Sequence, residues 1–314
     1  MTRRLSLAIL AFSVVAFVGC GGTRGPAPIG DGPVKVVATT SIIADTVRQV
    51  GGPHVEVTSL MGPGVDPHTY NPSAGDTTAM ESAHIVFFNG LHLEGKMAHQ
   101  LEEHKGSARA VAVARNLAPT QLHKVESHDG AHDPHIWFDV KLWMKSVEVV
   151  RDELADLDPP HAETYRANAT KYLKELEALD AEVREKAKRI PERQRVLVTS
   201  HDAFGYFGAA YGFEVHGLQG VSTSSQTSTR DVEELANLLG QRQIPAVFTE
   251  TSVPDKGLKK VLDSVKEKYR RDVRLIGGDD ALYSDALGEP GTSGATYVGM
   301  VRHNIDVIVK ALAP

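Results

Sequence analysis

The segment VATTSIIADTVRQVGGPHVEVTSLMG (37–62) returns in altered form as VLVTSHDAFGYFGAAYGFEVHGLQG (196–220), with Thr40-Ser41 opposite Thr199-Ser200. In the first copy a β-branched run, Lys35 to Ser41, suits a buried strand, and Ile42 to Val50 has helical spacing that stops at Gly51-Gly52. Val55 to Leu60 then alternates as a second strand and ends at Gly62-Pro63-Gly64. Gly62 falls 21 residues after Ser41, and Gly220 falls 20 after Ser200. Downstream, the strand-like run Ile85 to Phe88 with its following helix matches Val247-Phe248 and the helix after it. Alternation of strand and helix is the pattern of a parallel sheet with crossover helices, and its recurrence requires two sheets of like topology. The fold class is therefore α/β, built as two similar lobes of parallel sheet flanked by helices.

The two copies are separated by His161 to Lys188, bracketed by Pro159-Pro160 and Pro191. Proline is tolerated at a helix start and disfavoured inside, so these mark the helix ends. Tyr165, Ala169, Tyr172, Leu176, Leu179, Val183, Ala187 and Ile190 recur every three or four residues as one apolar stripe. About 28 residues at 1.5 Å rise form a rod of roughly 40 Å, long enough to back both lobes and limit hinging between them. The chain divides on this reading into an N-terminal lobe (34–158), a connecting helix (159–191) and a C-terminal lobe (192–314).

The first 33 residues belong to neither lobe. Arg3 and Arg4 precede an apolar run from Leu5 to Val18 that ends at Gly19-Cys20. A basic start, a short apolar stretch and a small residue before the cut describe an export signal over 1–19. Phe17-Val18-Gly19-Cys20 resembles the lipobox of bacterial lipoproteins, although Phe17 stands where leucine is usual; the resemblance implies acylation of Cys20. Cys20 is the only cysteine, so the mature body is held by its core without an internal disulfide. Gly21 to Gly32 is rich in glycine and proline, a flexible tether completing the segment 20–33. Loss of Arg3 and Arg4 takes the net charge of −6 to −8, which offers no basic surface to nucleic acid.

Fourteen histidines are present, and position separates the informative ones. In open α/β sheets, ligands sit beyond the carboxyl ends of strands. His68 lies in the glycine-proline loop leaving the second strand, and His201 follows the strand Arg195 to Thr199. His135 occupies the constrained turn DPHIWFD (133–139), before a helix starting near Lys141. Asp285 lies in LYSDALG (282–288), after the strand Val273 to Ile276. Each lobe thus supplies two candidates, and three imidazoles with one carboxylate form a closed four-coordinate shell for a divalent transition metal.

The fragments VVATTSIIADTVRQVGG (36–52), LMGPGVDPHTYNPS (60–73), DPHIWFD, TSHDAFGYF (199–207), GVSTSSQTSTRD (220–231) and LYSDALG occur in that order. Together they resemble the metal-specific solute-binding proteins of bacterial zinc and manganese ABC importers, the ZnuA/TroA-like family (cluster A-I). The resemblance implies two α/β lobes joined by one long helix, with His68, His135, His201 and Asp285 holding the ion in the cleft between lobes. It implies capture of Zn2+ or Mn2+ outside the cytoplasm as a transported ligand, with no organic cofactor. It also implies delivery to an ABC permease by a lipid-anchored monomer on the outer side of a bacterial membrane.

Manganese-preferring relatives commonly carry glutamate where His201 stands, and a third imidazole tilts intrinsic affinity toward zinc, although relatives with three histidines and an aspartate bind either ion. His123, His128 and His132 form at most a sparse version of the histidine-rich loop of zinc-specific relatives, and a solvated loop accounts for them more simply. Glu250, at the end of the strand Ala246 to Thr249, faces the same sheet edge. It reads equally as an acceptor orienting a ligand histidine, a helix cap or a salt-bridge partner. Trp137 and Phe138 read as core packing that fixes the His135 turn. Two rival readings share the ligand set: a zinc-dependent hydrolase, and an adhesin or structural lipoprotein with a structural metal. Catalytic zinc keeps an open position that four protein ligands would fill, and no H-E-x-x-H motif supplies a paired general base.

Overall fold

The computed structural model of the chain describes residues 29–30, 32–102, 108–125 and 131–314. The export signal, Cys20 and His128 lie outside them. Three short β-branched and aromatic runs, β1 (Val34–Ala38), β2 (Val55–Ser59) and β3 (Ile85–Phe88), pair in parallel with the Arg-Ala-Val-Ala run β4 (Arg109–Ala112), ordered β2-β1-β3-β4. A second parallel sheet of β5 (Val196–His201), β6 (Glu214–Gln219), β7 (Ala246–Phe248) and β8 (Arg274–Ile276) has the order β6-β5-β7-β8. The two orders are the same, as the duplicated text requires. In each sheet the strand order reverses beside the first strand, the switch point where a crevice opens at the carboxyl ends.

The helices are α1 (Ser41–Gly51), α2 (Ala74–Ser82), α3 (Ala98–Glu102), α4 (Val140–Leu157), α5 (Ala162–Ala187), α6 (Gly205–Tyr211), α7 (Thr229–Arg242), α8 (Lys256–Tyr269) and α9 (Tyr297–Leu312). Thr40 caps α1 by accepting from Ile43 N–H, and Ser73 and Ser228 form capping boxes with Asp76 and Asp231. These caps satisfy amide groups that a helix start otherwise leaves orphaned. α5 follows a tight turn at Pro159–His161, and its whole predicted stripe from Tyr165 to Ala187 is buried. Among the described residues no helix is long and apolar enough to cross a membrane.

Strand alternation sorts side chains into three cores. Val34, Val36, Ala38, Ile85 and Phe87 of the first sheet share one cluster with Leu197, Ala246 and Phe248 of the second. Helices α1, α4, α5, α6 and α9 contribute to that same cluster. The opposite faces form smaller clusters, Val37, Val86 and Phe88 with Met61, Met80 and Met97, and Val196, Val198 and Val247 with α7 and α8. The central layer therefore joins both lobes. α9, counted with the C-terminal lobe in the sequence reading, packs against α5 and α1. Its Tyr297 receives support from the first lobe: the backbone N–H donates to Asp45 Oδ2 at 2.9 Å and the hydroxyl to the Trp137 carbonyl at 2.7 Å.

Candidate metal centre

The loop leaving β2 is shaped by glycine and proline. Gly64 has φ +67°, and Asp66 Oδ1 accepts the His68 N–H at 2.9 Å. Behind it, Gly95 (φ +42°) passes so close to the His68 carbonyl that a Cβ there would come within 2.5 Å of that oxygen. His68 is thus placed by its backbone.

His135 is placed by its ring as well. Asp133 Oδ1 accepts from the His135 backbone N–H at 2.9 Å and lies 2.7 Å from Nδ1. Asn89 Nδ2 donates to the Pro134 carbonyl at 3.0 Å, and Tyr206 donates its hydroxyl to the Asp133 carbonyl at 2.9 Å. The neighbouring Trp137 is buried and donates Nε1–H to the Ser284 carbonyl at 2.9 Å. Beyond the packing role read from sequence, this indole ties the His135 turn to the residue before Asp285.

His201 is the last residue of β5 and does not follow the strand: β5 runs Val196–His201, past the expected end at Thr199, and α6 begins at Gly205. Pairing with β6 continues to His201↔Gln219, and Asp202 N–H still donates to the Gln219 carbonyl at 3.1 Å. Glu250, beyond β7 at the switch point, accepts the His201 backbone N–H through Oε1 at 2.9 Å. Its Oε2 lies 2.5 Å from His201 Nδ1, an ion-pair contact. Its own backbone bridges to Leu282, which carries the chain into the Asp285 turn.

The four candidate residues converge. His68, His135, His201 and Asp285 are all buried, and one ligand atom from each lies within 4.8 Å of every other. His68 Nε2 is 3.2 Å from His135 Nε2; Asp285 Oδ1 is 3.5 Å from His135 Nε2 and Oδ2 is 3.3 Å from His201 Nε2. His68 Nε2 stands 4.0 Å from Asp285 Oδ2. Ligands about 2.0–2.1 Å from a tetrahedral zinc are separated by roughly 3.3 Å, so three of these spacings match the edges of such a shell. Neither Asp285 oxygen accepts a hydrogen bond, although buried carboxylates are normally paired or bound to a cation.

Burial and mutual charge set the electrostatics of the cluster. Burial opposes charge on His201, but the carboxylates of Glu250 and Asp285 outweigh it and hold its pKa well above the ordinary value. Burial pushes His68 down to about 4, with Asp285 opposing and the other two imidazoles adding to the effect. Burial raises Asp285, yet the three histidines reverse this and hold it below the usual carboxylate range.

His123 stands apart from the cluster, stacked on Tyr206 with ring centroids 4.1 Å apart. His132 pairs its backbone with Lys124 and lines a cavity of about 240 Å³ at the cleft mouth, together with His68, His92, Pro134, Val221 and Ser222. Sequence reasoning gave no role to Asp133, although its position two residues before a candidate ligand in a proline turn is a signal for an N–H acceptor.

Known proteins share this arrangement of chain. The profile of the zinc-uptake complex component A, periplasmic (ZnuA), matches residues 36–311. The manganese-binding lipoprotein MntA of Bacillus subtilis (strain 168) is 47% identical over 311 residues, covering 99% of both chains. The iron-binding protein YfeA of Yersinia pestis is 32% identical over 303 residues, 96% of this chain and 93% of that one. The solved structure of the periplasmic zinc-binding protein TroA of Treponema pallidum superimposes with a TM-score of 0.86 at 46% identity, covering 90% of this chain and 100% of that one. With paired β2-β1-β3-β4 lobes, a common helical backing and family sequence from Val36 to Ala311, this chain belongs to the ZnuA family of metal-importer solute-binding proteins.

Proposed function

We propose that the protein captures a divalent transition-metal ion outside the cytoplasm and hands it to an ABC permease, with His68, His135, His201 and Asp285 as the ligands. The observation that carries the reading is the Asp285 carboxylate, buried between three imidazoles with neither oxygen accepting a hydrogen bond. A cation bound among the three imidazoles satisfies it. Four protein ligands leave a tetrahedral shell without an open position, which favours carriage over hydrolysis. Zinc and manganese are both within the proposal. Relatives named for each stand at 45% and 47% identity, and three imidazoles lean the donor set toward zinc. Residues 1–19 serve in this reading as export signal, Cys20 as lipid anchor and 20–33 as tether, with the domain boundaries at 34, 159 and 192.

The protonation of the metal-free site gives a direct test. The carboxylates of Glu250 and Asp285 overcome burial and raise the His201 pKa, so a proton competes with the metal ion for this ring. Metal binding is therefore expected to release protons, and affinity to fall as pH falls. Titration calorimetry of zinc in buffers of different ionisation enthalpy reads the number released. No saturable binding at one ion per chain would sink the proposal, and binding without proton release would sink the His201 assignment.

Asp133 and Glu250 complete the site by holding their histidines' Nδ1 so that Nε2 faces the ion. Carboxylates in this position typically account for 10–100-fold in metal affinity. Glu250→Gln, which keeps the shape but removes the charge, is expected to weaken zinc by roughly tenfold or more. Equal affinity in the variant would return Glu250 to a purely structural role.

A further inference from the structure

Two of the three candidate imidazoles are fixed through their rings and one is not. Asp133 lies 2.7 Å from His135 Nδ1, and Glu250 lies 2.5 Å from His201 Nδ1. Among the described residues no carboxylate contacts Nδ1 of His68; that ligand depends on the 62–68 loop and on the acceptor Asp66 within it. Asp66 also carries a side-chain hydrogen bond from this loop to the opposite lobe, where Gly64 approaches the Thr251 carbonyl as well. Asp66 Oδ1 holds the His68 N–H at 2.9 Å, while its Oδ2 accepts from Thr69 Oγ1 at 2.9 Å and from Thr223 Oγ1 at 2.6 Å.

Thr223 belongs to the polar loop between β6 and α7, which is pinned to its own lobe by Gln219 Nε2 donating to the Ser225 carbonyl at 3.2 Å. Ser222 and Ser224 of this loop line the cleft-mouth cavity together with His68. Other bonds between the lobes include half-buried ones, from Leu287 N–H to Ser41 Oγ and from His123 N–H to the Tyr206 hydroxyl, and a deep set. Trp137 to Ser284 and Tyr297 to Asp45 and Trp137 are buried and belong to the shared core. The Asp66–Thr223 bond instead stands half-buried at the mouth, where water can replace it.

Resting on the four-ligand reading above, we propose that the Thr223 hydroxyl is a positioning group for metal retention: through Asp66 it latches the His68 loop to the C-terminal lobe, making His68 the ligand that leaves first. Breaking the latch frees one imidazole while His135, His201 and Asp285 keep their supports, so release proceeds by loop movement within the rigid body. A hydroxyl bonded to a carboxylate contributes enough to change the opening equilibrium roughly tenfold.

The experiment is stopped-flow release of zinc from the loaded, full-length mature chain into excess chromogenic chelator. Thr223→Val keeps the side-chain volume and removes the donor; release is expected to accelerate roughly tenfold, with the association rate changed less than about twofold. Thr223→Ser restores the parent rate. Ser224→Ala, which removes a neighbouring hydroxyl that among the described residues bonds Ser222 and not Asp66, leaves it unchanged. Release from Thr223→Val within twofold of the parent overturns the latch, as does Thr223→Ser behaving like Thr223→Val or Ser224→Ala accelerating equally. A parent chain that retains no zinc overturns the four-ligand reading itself and the latch with it, so the two failures are distinguishable.

Discussion

Replacing Asp285 with alanine is expected to lower zinc affinity by on the order of a thousandfold while leaving the chain folded. The carboxylate is the one anionic donor among the four, and it sits where burial leaves charge poorly screened. Loss of an outer-shell partner already costs 10–100-fold, and loss of a charged donor in direct contact costs more. Folding should tolerate the change, because neither oxygen of Asp285 accepts a hydrogen bond whose donor would be orphaned. His201 keeps Glu250, which accepts its backbone N–H and makes an ion-pair contact with its ring. Titration calorimetry and a thermal melt of the same sample check both halves; parent-like affinity would sink the ligand assignment.

Trp137→Ala should do the reverse and strike the scaffold first. The indole is fully enclosed, contacts the His135 ring edge-on at 5.2 Å between centroids, and donates to the Ser284 carbonyl at 2.9 Å. Truncating a buried aromatic to alanine costs about 3–5 kcal/mol, and the unpaired carbonyl adds about 1 kcal/mol or more. That is a large part of the 5–15 kcal/mol typical of a folded domain. Equilibrium urea unfolding of the metal-free chain should show a lowered midpoint with little change in slope. A loss below about 1.5 kcal/mol would mean that the cavity collapses and that the link between the two turns is dispensable. Compared with Asp285→Ala, the variant separates chemistry at the centre from the structure that brings the two halves of the site together.

Much of this was legible in the residues because strands and helices impose periods. The duplicated text carried the paired sheet order, and prolines and an apolar stripe bounded α5; the rule that ligands lie beyond strand ends pointed to His68, His201 and Asp285, which with His135 of the DPHIWFD turn the fold brings within 4.8 Å. The strand β5 was read two residues short, since Ser200-His201 carries no β-branched signal and is held by pairing with β6 and by Glu250. For Glu250 the sequence left three roles open, because its partner is 49 residues away. The Trp137–Ser284 bond spans 147 residues, and the Tyr297–Asp45 bond spans 252. Contacts of that separation leave no period in the chain. They depend on how the layers stack, which the sequence pattern of each layer does not contain.

The docking of α9 on α1 and α5 bears on the order in which the molecule can assemble. Asp45, on the first helix, is buried and has its carboxyl raised by that burial; its backbone donor is Tyr297, near the end of the chain. As the polypeptide emerges N-terminus first, the first sheet can pair and α1 can form, but an apolar flank and a buried acid wait uncovered until the last helix arrives. Closing a loop of that length is entropically slow. The nascent first lobe therefore spends most of its emergence as a sticky, incomplete intermediate, and a chaperone that shields one exposed helical face would suit its needs better than one that encloses a finished domain.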